Sequence, residues 1–438
     1  MNRFHLIGIG GIGMSAIARL LLQKGEGVQG SDIRLSPLTK KLEQEGAFIF
    51  EGQDEAHIQP GLTVVYSSDI SENNPELLQA RKLQLPTLHR SRMLEKLLQG
   101  KKGLFVCGTH GKTTTSALLA HLLLQGGKDP TFVLGGLLLS SHTNAKMGGG
   151  EYFVVEGDES DGSFLVGRPH GAIVTNVEIE HLSYWKNFKK LKEGFQAFVA
   201  GVEEKEDLFW CAEDPVLNEL SLLGNSYGFC KQADCRCLGY RQEGFSLIFD
   251  AYYRGVTYKE LQVPLIGRHN VLNALSVFAM GVHLGLAEEA IRCSFASFLG
   301  TARRMEKVKE KDGRIFFDDY AHHPTEIRTT LEAFRQAVFP RRVVCIFQPH
   351  RYSRVKDLGH LYPDAFYSAD VVVMTDIYAA GETPVKNDFF EQMKKKKGVH
   401  YFPYSELKTE VPPLLQKEDA VITLGAGTIT DLFRGEDV

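Results

Sequence analysis

FVCGTHGKTTT, residues 105–115, is the stretch that decides how the rest of the chain is interpreted. It is typical of a strand, a glycine-rich turn and the first turn of a helix. Gly108 and Gly111 let successive backbone N–H groups converge on an anion, and the helix N-terminus adds the positive end of its dipole. Lys112 can reach the β- and γ-phosphate oxygens, and the Thr113 hydroxyl is placed to bind Mg²⁺. The stretch therefore predicts a nucleotide phosphate-binding loop.

The loop departs from the long form G-x-x-x-x-G-K-[ST], because Val106 stands five positions before Gly111. The chain instead has the shorter form G-T-x-G-K-T at residues 108–113. An apolar strand precedes this loop and a helical run, Ser116–Gln125, follows it. This context argues against a chance Gly-Lys-Thr at a surface turn.

Composition and length favour a multidomain α/β enzyme. The 438 residues exceed what one hydrophobic core usually holds and suggest about three domains. A formal charge of -4 leaves no excess of basic residues to neutralise nucleic acid, so we expect no nucleic-acid partner. No apolar run of about 18 residues predicts insertion into a membrane. The seven cysteines lack paired spacing, which favours free thiols in a reducing cytoplasm over disulfides or a thiol metal site.

The first 100 residues carry a second glycine motif. The turn Gly8–Gly13 follows a predicted strand, Phe4–Ile9, and precedes a predicted helix, Met14–Gln23. A second strand, Gly27–Gly30, runs towards Asp32, an acidic residue about 20 positions on, as in the dinucleotide fingerprint. Taken alone, the motif favours NAD. The same geometry serves any nucleotide diphosphate, because the glycines contact only pyrophosphate and the carboxylate only hydroxyls. Further strands are predicted at Ala47–Phe50 and Thr63–Tyr66.

Two strands of the central region end in polar clusters. Tyr152–Val155 runs into the acidic stretch Glu156–Asp161, and Ala172–Thr175 runs into Asn176–His181. The carboxyl ends of parallel strands meet at one edge of a sheet, so these groups are expected to converge on the phosphates. The alternative is a solvated acidic loop that caps helices. A helix is predicted to begin near Gly267 and to end at about Leu284.

After Arg304 the strand pattern restarts. Four apolar strands, each followed by polar residues, predict a doubly wound domain whose edge carries acids, histidines and arginines. These strands are Arg314–Phe317, Val343–Phe347, Val371–Thr375 and Ala420–Leu424. Lys394–Lys397 is predicted to be a solvated helix end or turn. The predicted fold class is α/β with three domains: a Rossmann-like domain at 1–100, a central P-loop ATP-binding domain at 101–302, and a Rossmann-like domain at 303–438.

Seven stretches, in this order, resemble the Mur ligase family over essentially the whole chain. They are Gly8–Ser15, Gly108–Thr115, Glu156–Asp161, Thr175–Glu178 with His181, His269–Asn273, Asp318–Glu326 and Phe347–Arg354. The first motif, with Met14 and Ser15, is similar to that of the members that add L-alanine. The resemblance implies a cytoplasmic ATP-dependent ligase that joins L-alanine to UDP-N-acetylmuramate in peptidoglycan synthesis, and hence serves cell shape and division. It is compatible with a homodimer.

The resemblance also implies which residues bind each ligand. The UDP sugar would lie on Gly10, Gly11, Gly13 and Asp32. ATP would lie on Gly108, Thr109, His110, Gly111, Lys112, Thr113 and Thr114, with adenine near His269, Asn270 and Asn273. Mg²⁺ would lie on Thr113, Glu156 and His181. The amino acid and the reacting carboxyl would be surrounded by Asp319, Tyr320, His322, His350, Arg351 and Arg354.

Four positions depart from the family's usual residues. Glu180 and Ser183 stand where Asp is usual, on either side of His181, and concern the surroundings of the metal. Ala321 replaces Gly and Gly157 replaces Ala, two exchanges of small residues that are expected to change little. Sister ligases carry a carbamylated lysine in this region, and the spacing assigns that role to none of Lys189, Lys190 and Lys192.

The implied reaction has two steps. The lactyl carboxylate of UDP-N-acetylmuramate attacks the γ-phosphate of ATP to form an acyl phosphate, while Lys112, the loop amides and Mg²⁺ neutralise charge. The amine of L-alanine then displaces phosphate. His322 or His350 is the candidate base, and arginines hold the carboxylate of the amino acid.

Two other classes of protein compete with this interpretation. An NAD-dependent oxidoreductase would explain Gly8–Gly13 and Asp32 but leaves the loop at Gly108 unexplained. A P-loop switch or motor would explain that loop, but the chain has no Asn-Lys-x-Asp stretch to read guanine. Such a protein would also have no task for the third domain.

Overall fold

A computed structural model describes residues 2–394 and 398–434 of the chain. Of the predicted helix end at Lys394–Lys397, Lys394 is the last residue of a helix and the next three lie outside the described residues. Within the described ranges, no helix has both the length and the apolar character needed to cross a membrane.

The N-terminal domain is built on a parallel sheet. Its elements are β1 (Arg3–Ile7), α1 (Ile12–Gln23), β2 (Gly27–Asp32), α2 (Pro37–Gln44), β3 (Phe48–Glu51), β4 (Leu62–Tyr66), α3 (Pro75–Lys82), β5 (Thr87–His89) and α4 (Arg90–Leu98). The strand order β3-β2-β1-β4-β5 places β1 at the centre, where the order reverses and nucleotides bind in such folds. β1 ends at Ile7, before the predicted Ile9, because Gly8 turns the chain at φ 73°.

The central region forms a longer sheet. Its elements are β6 (Lys102–Cys107), α5 (Lys112–Gln125), β7 (Thr131–Leu138), β8 (Thr143–Lys146), β9 (Tyr152–Glu156), β10 (Gly171–Val174), α6 (Leu182–Trp185), α7 (Phe188–Ala200), β11 (Leu208–Cys211), α8 (Pro215–Glu219), β12 (Asn225–Gly228), β13 (Cys235–Glu243), β14 (Ser246–Tyr253), β15 (Val256–Val263), α9 (Arg268–His283) and α10 (Glu288–Ala296). The order is β15-β14-β13-β12-β11-β10-β6-β9-β7-β8, and β6 pairs in parallel with β10 and β9. Sequence analysis did not predict β7, β8 or β11–β15, of which β13 and β15 are mostly polar and half exposed.

The C-terminal domain contains the four predicted strands and two more. Its elements are β16 (Glu306–Lys311), β17 (Arg314–Asp319), α11 (Pro324–Val338), β18 (Val343–Phe347), α12 (Tyr352–Leu358), α13 (Tyr362–Ala365), β19 (Val371–Met374), α14 (Phe389–Lys394), β20 (Val399–Tyr401), α15 (Leu407–Glu410) and β21 (Ala420–Leu424). The order is β16-β17-β21-β18-β19-β20. The unpredicted strands, β16 and β20, are the two edges, where charged or short strands limit pairing with other chains.

Contacts within the chain group it into two compact units. The first unit is Met1–Leu238, Asp250–Leu261 and Leu272–Leu299, and the second is Gly239–Phe249, Gln262–Val271 and Gly300–Val438. The first unit therefore joins the N-terminal domain to most of the central region. Part of this joining is a buried polar contact, in which Asn144 Nδ2 donates to Ile12 O at 2.6 Å and Arg19 donates to Asn144.

A buried carboxylate holds the N-terminal sheet to α3. Glu76 is fully buried, and its oxygens lie 2.5 Å from Ser31 Oγ, 2.7 Å from His57 Nδ1 and 3.4 Å from His5 Nε2. Burial alone would raise the pKa of Glu76, but the hydrogen bonds and charge of these neighbours, His5 foremost, outweigh it and lower that pKa. The folded state thus favours the ionised form. The stabilisation is present above the unfolded pKa near 4.5 and is lost as the pH falls through the lower folded value.

We predict that Glu76→Ala destabilises the protein at pH 7 by about 3–5 kcal/mol, since it removes one partner of a buried polar network. Glu72→Ala is the matched control, because the Glu72 carboxylate is exposed in its pair with Arg81 and is worth at most about 1 kcal/mol. Calorimetric unfolding at pH 7 and at pH 4 measures both changes. The gap between wild type and Glu76→Ala should narrow at the lower pH. Equal shifts for the two variants would show that Glu76 is not a structural anchor.

Candidate active site

The phosphate-binding loop lies between β6, an interior strand of its sheet, and α5. Gly108 and Gly111 have φ values of 140° and 82°, in the region that favours glycine. A Cβ on Gly108 would also collide with Thr175 Oγ1. Helix geometry leaves the N–H groups at the first turn of α5 without partners inside the helix, so they are available to an anion.

The segment after β10 holds this loop in shape. Thr109 N donates to Asn176 O at 3.0 Å, and His110 N donates to Asn176 Oδ1 at 2.8 Å. Thr175 Oγ1 donates to His110 O at 2.7 Å, and Glu178 N donates to Thr109 Oγ1 at 2.9 Å. Sequence analysis singled out this stretch as a polar cluster but gave Asn176 no role. In the structure Asn176 holds the loop backbone in place by accepting hydrogen bonds from Thr109 N and His110 N.

Lys112 and Glu159 form a buried ion pair at the loop. Lys112 Nζ donates to Gly108 O at 2.6 Å and to Thr109 O at 2.9 Å, and it lies 3.0 Å and 2.8 Å from the two oxygens of Glu159. Burial would lower the pKa of Lys112, but Glu159 outweighs it and raises that pKa, so the ammonium is charged. Burial raises the pKa of Glu159 to about 7 against the effect of Lys112. Sequence analysis missed Glu159, whose only signal was its place in the acidic stretch.

The predicted metal ligands fall into two adjoining groups. Thr113 Oγ1 donates to Glu156 Oε1 at 2.8 Å, and Gly135 N donates to Glu156 Oε2 at 2.8 Å. His181 Nε2 instead lies 3.6 Å from Glu159 and 3.8 Å from Glu180, and these three groups could hold a metal ion. A hydroxyl and a carboxylate are oxygen ligands of the kind that Mg²⁺ prefers, so Thr113 and Glu156 fit that ion, whereas the imidazole of His181 is an unusual ligand for it. The side chain of Ser183 lies outside the described part of the chain.

The residues predicted near adenine divide between the two units. Asn273 belongs to the first unit, where a Cβ on Gly111 would lie 2.9 Å from its Oδ1. Asn273 is therefore packed against the phosphate-binding loop. His269 and Asn270 belong to the second unit and lie in the first turn of α9, where Asn270 Nδ2 donates to Ile266 O at 2.8 Å.

In the first glycine motif the Asp32 carboxylate contacts the turn itself, a contact that sequence analysis did not predict. Gly10 N donates to Asp32 Oδ2 at 2.9 Å, and Gly11 is the N-cap of α1. A Cβ on Gly13 would lie 3.1 Å from Nη1 of Arg90, a residue that sequence analysis did not single out. The structure thus brings Asp32 and the glycines together at the start of α1 and adds a guanidinium beside them.

A cluster of charged and aromatic residues follows β17 and β18 in the second unit. The rings of His322 and His350 are 5.7 Å apart, and Arg354 Nη1 lies 3.0 Å from His350 Nδ1. Arg351 has a φ of 68° and its N–H donates to Tyr378 O at 2.8 Å. Burial, followed by the charges of His322, Arg354 and Arg351, lowers the pKa of His350 to about 3. His350 is therefore neutral at pH 7.

Asp319 and Tyr320 shape the neighbouring loop. The Asp319 carboxylate accepts hydrogen bonds from Met305 N at 2.7 Å and Ala321 N at 2.8 Å, and burial raises its pKa to about 6. The guanidinium carbons of Arg303 and Arg304 lie 4.8 Å and 5.1 Å from the centre of the Tyr320 ring. These two arginines therefore belong to the same cluster. Their only signal in the sequence was their position at the start of the predicted third domain.

A phosphate-binding loop after an interior strand that is parallel to both of its neighbours, with a Rossmann-like sheet on either side of it in the sequence, defines a nucleotide-dependent enzyme of three α/β domains. Three family models match the chain in that order. They are described as "Mur ligase family, catalytic domain" for residues 3–102, "Mur ligase middle domain" for 106–281, and "Mur ligase, glutamate ligase domain" for 303–427.

The chain belongs to the Mur ligase family. It is 44% identical to the UDP-N-acetylmuramate--L-alanine ligase of Protochlamydia amoebophila over 98% of this chain and 96% of that one. It is 42% identical to the ligase of the same name from an Anaeromyxobacter species, over 98% of this chain and 95% of that one. The UDP-N-acetylmuramate-alanine ligase structure from Thermotoga maritima aligns with a TM-score of 0.88 and 29% identity over 99% and 98%.

One departure from the family has a structural consequence. A Cβ on Gly157 would collide with Cys107 Sγ, the last residue of β6. Cys107 is fully buried, and Gly157 N donates to Val106 O at 2.9 Å, so neither backbone is free to move. An alanine at 157 would therefore require the Cys107 thiol to move, and the expectation that Gly in place of Ala changes little here stays a prediction.

We predict that Gly157→Ala destabilises the protein by about 1–3 kcal/mol through overpacking. Cys107→Ala should rescue it, so that the double variant is more stable than the sum of the single changes predicts. Cys211→Ala with Gly157→Ala is the control, since Cys211 is also buried but is not the thiol that a Cβ at 157 would meet. Thermal midpoints of all variants measure the coupling. Additive effects of the changes at 107 and 157 would contradict this account.

Proposed function

We propose that the chain joins L-alanine to UDP-N-acetylmuramate in an ATP-dependent reaction that releases ADP and phosphate, a step of peptidoglycan precursor synthesis. The observation that carries this proposal is the 44% identity, over nearly the full length, to a relative with that activity in its name. Formation of ADP and of the alanyl product from ATP, UDP-N-acetylmuramate and L-alanine tests it. Turnover of NAD in the absence of ADP release would contradict it.

Each predicted domain is assigned one substrate. Residues 1–100 are proposed to bind the UDP sugar, with its diphosphate at Gly10, Gly11 and Gly13. Asp32 supports this assignment because it fixes the turn through Gly10 N. Residues 101–302 are proposed to bind ATP on the loop Gly108–Thr114. Residues 303–438 are proposed to bind the amino acid.

Phosphoryl transfer requires two anions to meet. A carboxylate oxygen of the sugar nucleotide forms a bond to the γ-phosphorus of ATP, the bond from that phosphorus to the β,γ-bridging oxygen breaks, and ADP leaves. Lys112 and the first N–H groups of α5 stabilise the charge on the transferring group. Thr113 and Glu156 would hold Mg²⁺, which would supply further positive charge to the phosphates. The third predicted ligand, His181, lies with Glu159 and Glu180 and is not grouped with these two residues.

We predict that Lys112→Ala lowers ADP release by at least about 10²–10³-fold, the cost of losing one preorganised donor at a developing charge. Because this change leaves Glu159 buried without its cation, Lys112→Ala with Glu159→Gln is the second variant. It should recover stability without recovering turnover. Lys102→Ala, which removes an exposed partner of Glu151, is the control. Near-normal turnover in the double variant would remove Lys112 from the reaction.

Attack of the amine on the acyl phosphate requires a neutral amine and a base. A group whose pKa is about 3 has little driving force to take a proton from an ammonium, so His350 is a poor base. We therefore propose His322 as the base and His350 as the residue that orients Arg354 through Nδ1. The amine nitrogen forms the C–N bond, and the acyl C–O bond then breaks to release phosphate. Arg351 and Arg354 are proposed to hold the carboxylate of L-alanine.

The double change Arg351→Ala, Arg354→Ala is predicted to separate the two steps. Two lost charge-assisted hydrogen bonds, at about 1.5–3 kcal/mol each, should lower kcat/KM for L-alanine by roughly 10²–10⁴-fold. The acyl phosphate should still form and be trapped by hydroxylamine. Arg328→Ala, on the exposed side of α11, is the control. A parallel loss of trapped intermediate and of product would assign these arginines to activation.

We place this reaction in the cytoplasm, where ATP is abundant, and the seven free thiols are compatible with a reducing compartment. Roles in cell division and the cell cycle are expected consequences of cell-wall synthesis. A homodimer stays a prediction. Light scattering tests it by measuring the molar mass of the protein in solution.

A further inference from the structure

Arg90 is the first residue of α4 and belongs to the N-terminal domain, yet it bonds to the central region of the same unit. Its Nη2 lies 2.6 Å from Asp158 Oδ2, 3.1 Å from Asp161 Oδ2 and 3.2 Å from Ser163 Oγ. Burial would raise the pKa of Asp158, but Arg90 holds it well below its usual range. The guanidinium is therefore firmly paired on one side with the acidic stretch.

The other side of the guanidinium faces the first glycine motif. All three hydrogen bonds described above use Nη2, whereas Nη1 is the atom that a Cβ on Gly13 would approach to 3.1 Å. Gly13 lies in the first turn of α1, where helix N–H groups and the dipole favour an anion. A planar guanidinium can donate from Nη1 and Nη2 at once, which suits it to bridge two groups of acceptors.

The acidic stretch that Arg90 holds also touches the phosphate-binding loop. Asp158 and Asp161 pair with Arg90, while the intervening Glu159 pairs with Lys112 and the preceding Glu156 accepts from Thr113. Six consecutive residues thus connect the glycine motif of one nucleotide site to the loop of the other. Ser68 adds a hydrogen bond from its Oγ to Asp161 on the N-terminal side.

If the ion pair between Arg90 and Asp158 only stabilised the contact between two domains, it would not need to lie beside the glycine turn at Gly13. Pairs on the surface of a protein also contribute little, whereas the side chain of Arg90 is only 22% exposed and that of Asp161 only 11%. The geometry therefore gives the guanidinium a position from which it can contact both a ligand at α1 and the stretch that carries Glu156 and Glu159.

We propose that Arg90 binds the diphosphate of the sugar nucleotide through Nη1 while Nη2 holds Asp158 and Asp161, and that this bridge couples binding at the two nucleotide sites. The inference rests on the function proposed above. A diphosphate fixes the guanidinium, the guanidinium fixes residues 156–161, and ATP then binds to a stretch that is already ordered. Each nucleotide therefore tightens the binding of the other by the same factor.

Titration calorimetry with UDP-N-acetylmuramate and a non-hydrolysable ATP analogue tests the coupling. In the wild type, each nucleotide should lower the Kd of the other at least about 5-fold, the lower end of typical allosteric coupling. Arg90→Met should raise the Kd of the sugar nucleotide by about 10–100-fold and abolish the coupling. The Kd of the ATP analogue alone should stay within about 2-fold, which also reports an intact loop.

Two further variants sharpen the test. Asp158→Asn with Asp161→Asn should retain binding of each nucleotide alone but lose the coupling, an outcome that a purely structural role would not produce. Arg90→Lys keeps the charge without the planar fork and should also lose the coupling. This variant decides the question if Arg90→Met does not fold. Arg92→Met is the matched control, because Arg92 lies on the same helix and is exposed in its pair with Glu95.

The outcomes separate the inference from the function on which it rests. A wild-type protein that neither binds UDP-N-acetylmuramate nor ligates L-alanine to it would overturn the proposed function. A wild type that does both overturns only the role of Arg90 if Arg90→Met and Arg90→Lys bind the sugar nucleotide as tightly as Arg92→Met. Coupling that persists in the double asparagine variant would likewise overturn the bridge.

Discussion

The buried ammonium of Lys112 is the constraint on which the centre of this protein depends. A charge that is removed from water must be paired and hydrogen-bonded, and here two loop carbonyls and the Glu159 carboxylate fulfil that requirement. The consequence is a loop that is tied to its own lysine and to the acidic stretch after β9. The group that is proposed to meet the phosphates is thus held in place by contacts within the fold.

Tight packing around the loop extends this constraint to apolar neighbours. Gly108 is pressed against Thr175, and Gly157 lies where only an unsubstituted α-carbon fits beside the Cys107 thiol. Each of these positions depends on a residue from another strand of the same sheet. A change that is small by volume therefore has a large effect at this edge, since close-packed interiors cannot absorb an extra methyl group without moving backbone.

In the second unit, the main electrostatic feature is that His350 stays neutral among positive charges. Burial is the main reason why the pKa of His350 is lowered, and the charges of His322, Arg354 and Arg351 lower that pKa further. The result is an acceptor for Arg354 that does not compete with arginines for an anion. Asp319 acts in the same cluster as a backbone organiser, because its oxygens are engaged by the N–H groups of Met305 and Ala321.

Local signals in the sequence indicated the phosphate-binding loop, the first glycine turn and several buried strands of each of the three sheets. These features depend on backbone freedom at glycines such as Gly108 and on short apolar runs such as Val343–Phe347, which neighbouring residues alone specify. Only the tertiary structure decided the partners of Lys112 and Arg90, which lie 47 and 68 positions away at Glu159 and Asp158. It also decided β11–β15 and the edge strands β16 and β20. The apolar strand β14 was missed although most of its residues are buried. Among the other strands, β13, β15 and β16 are mostly polar and β20 has three residues, so no periodic apolar pattern in the sequence indicates them.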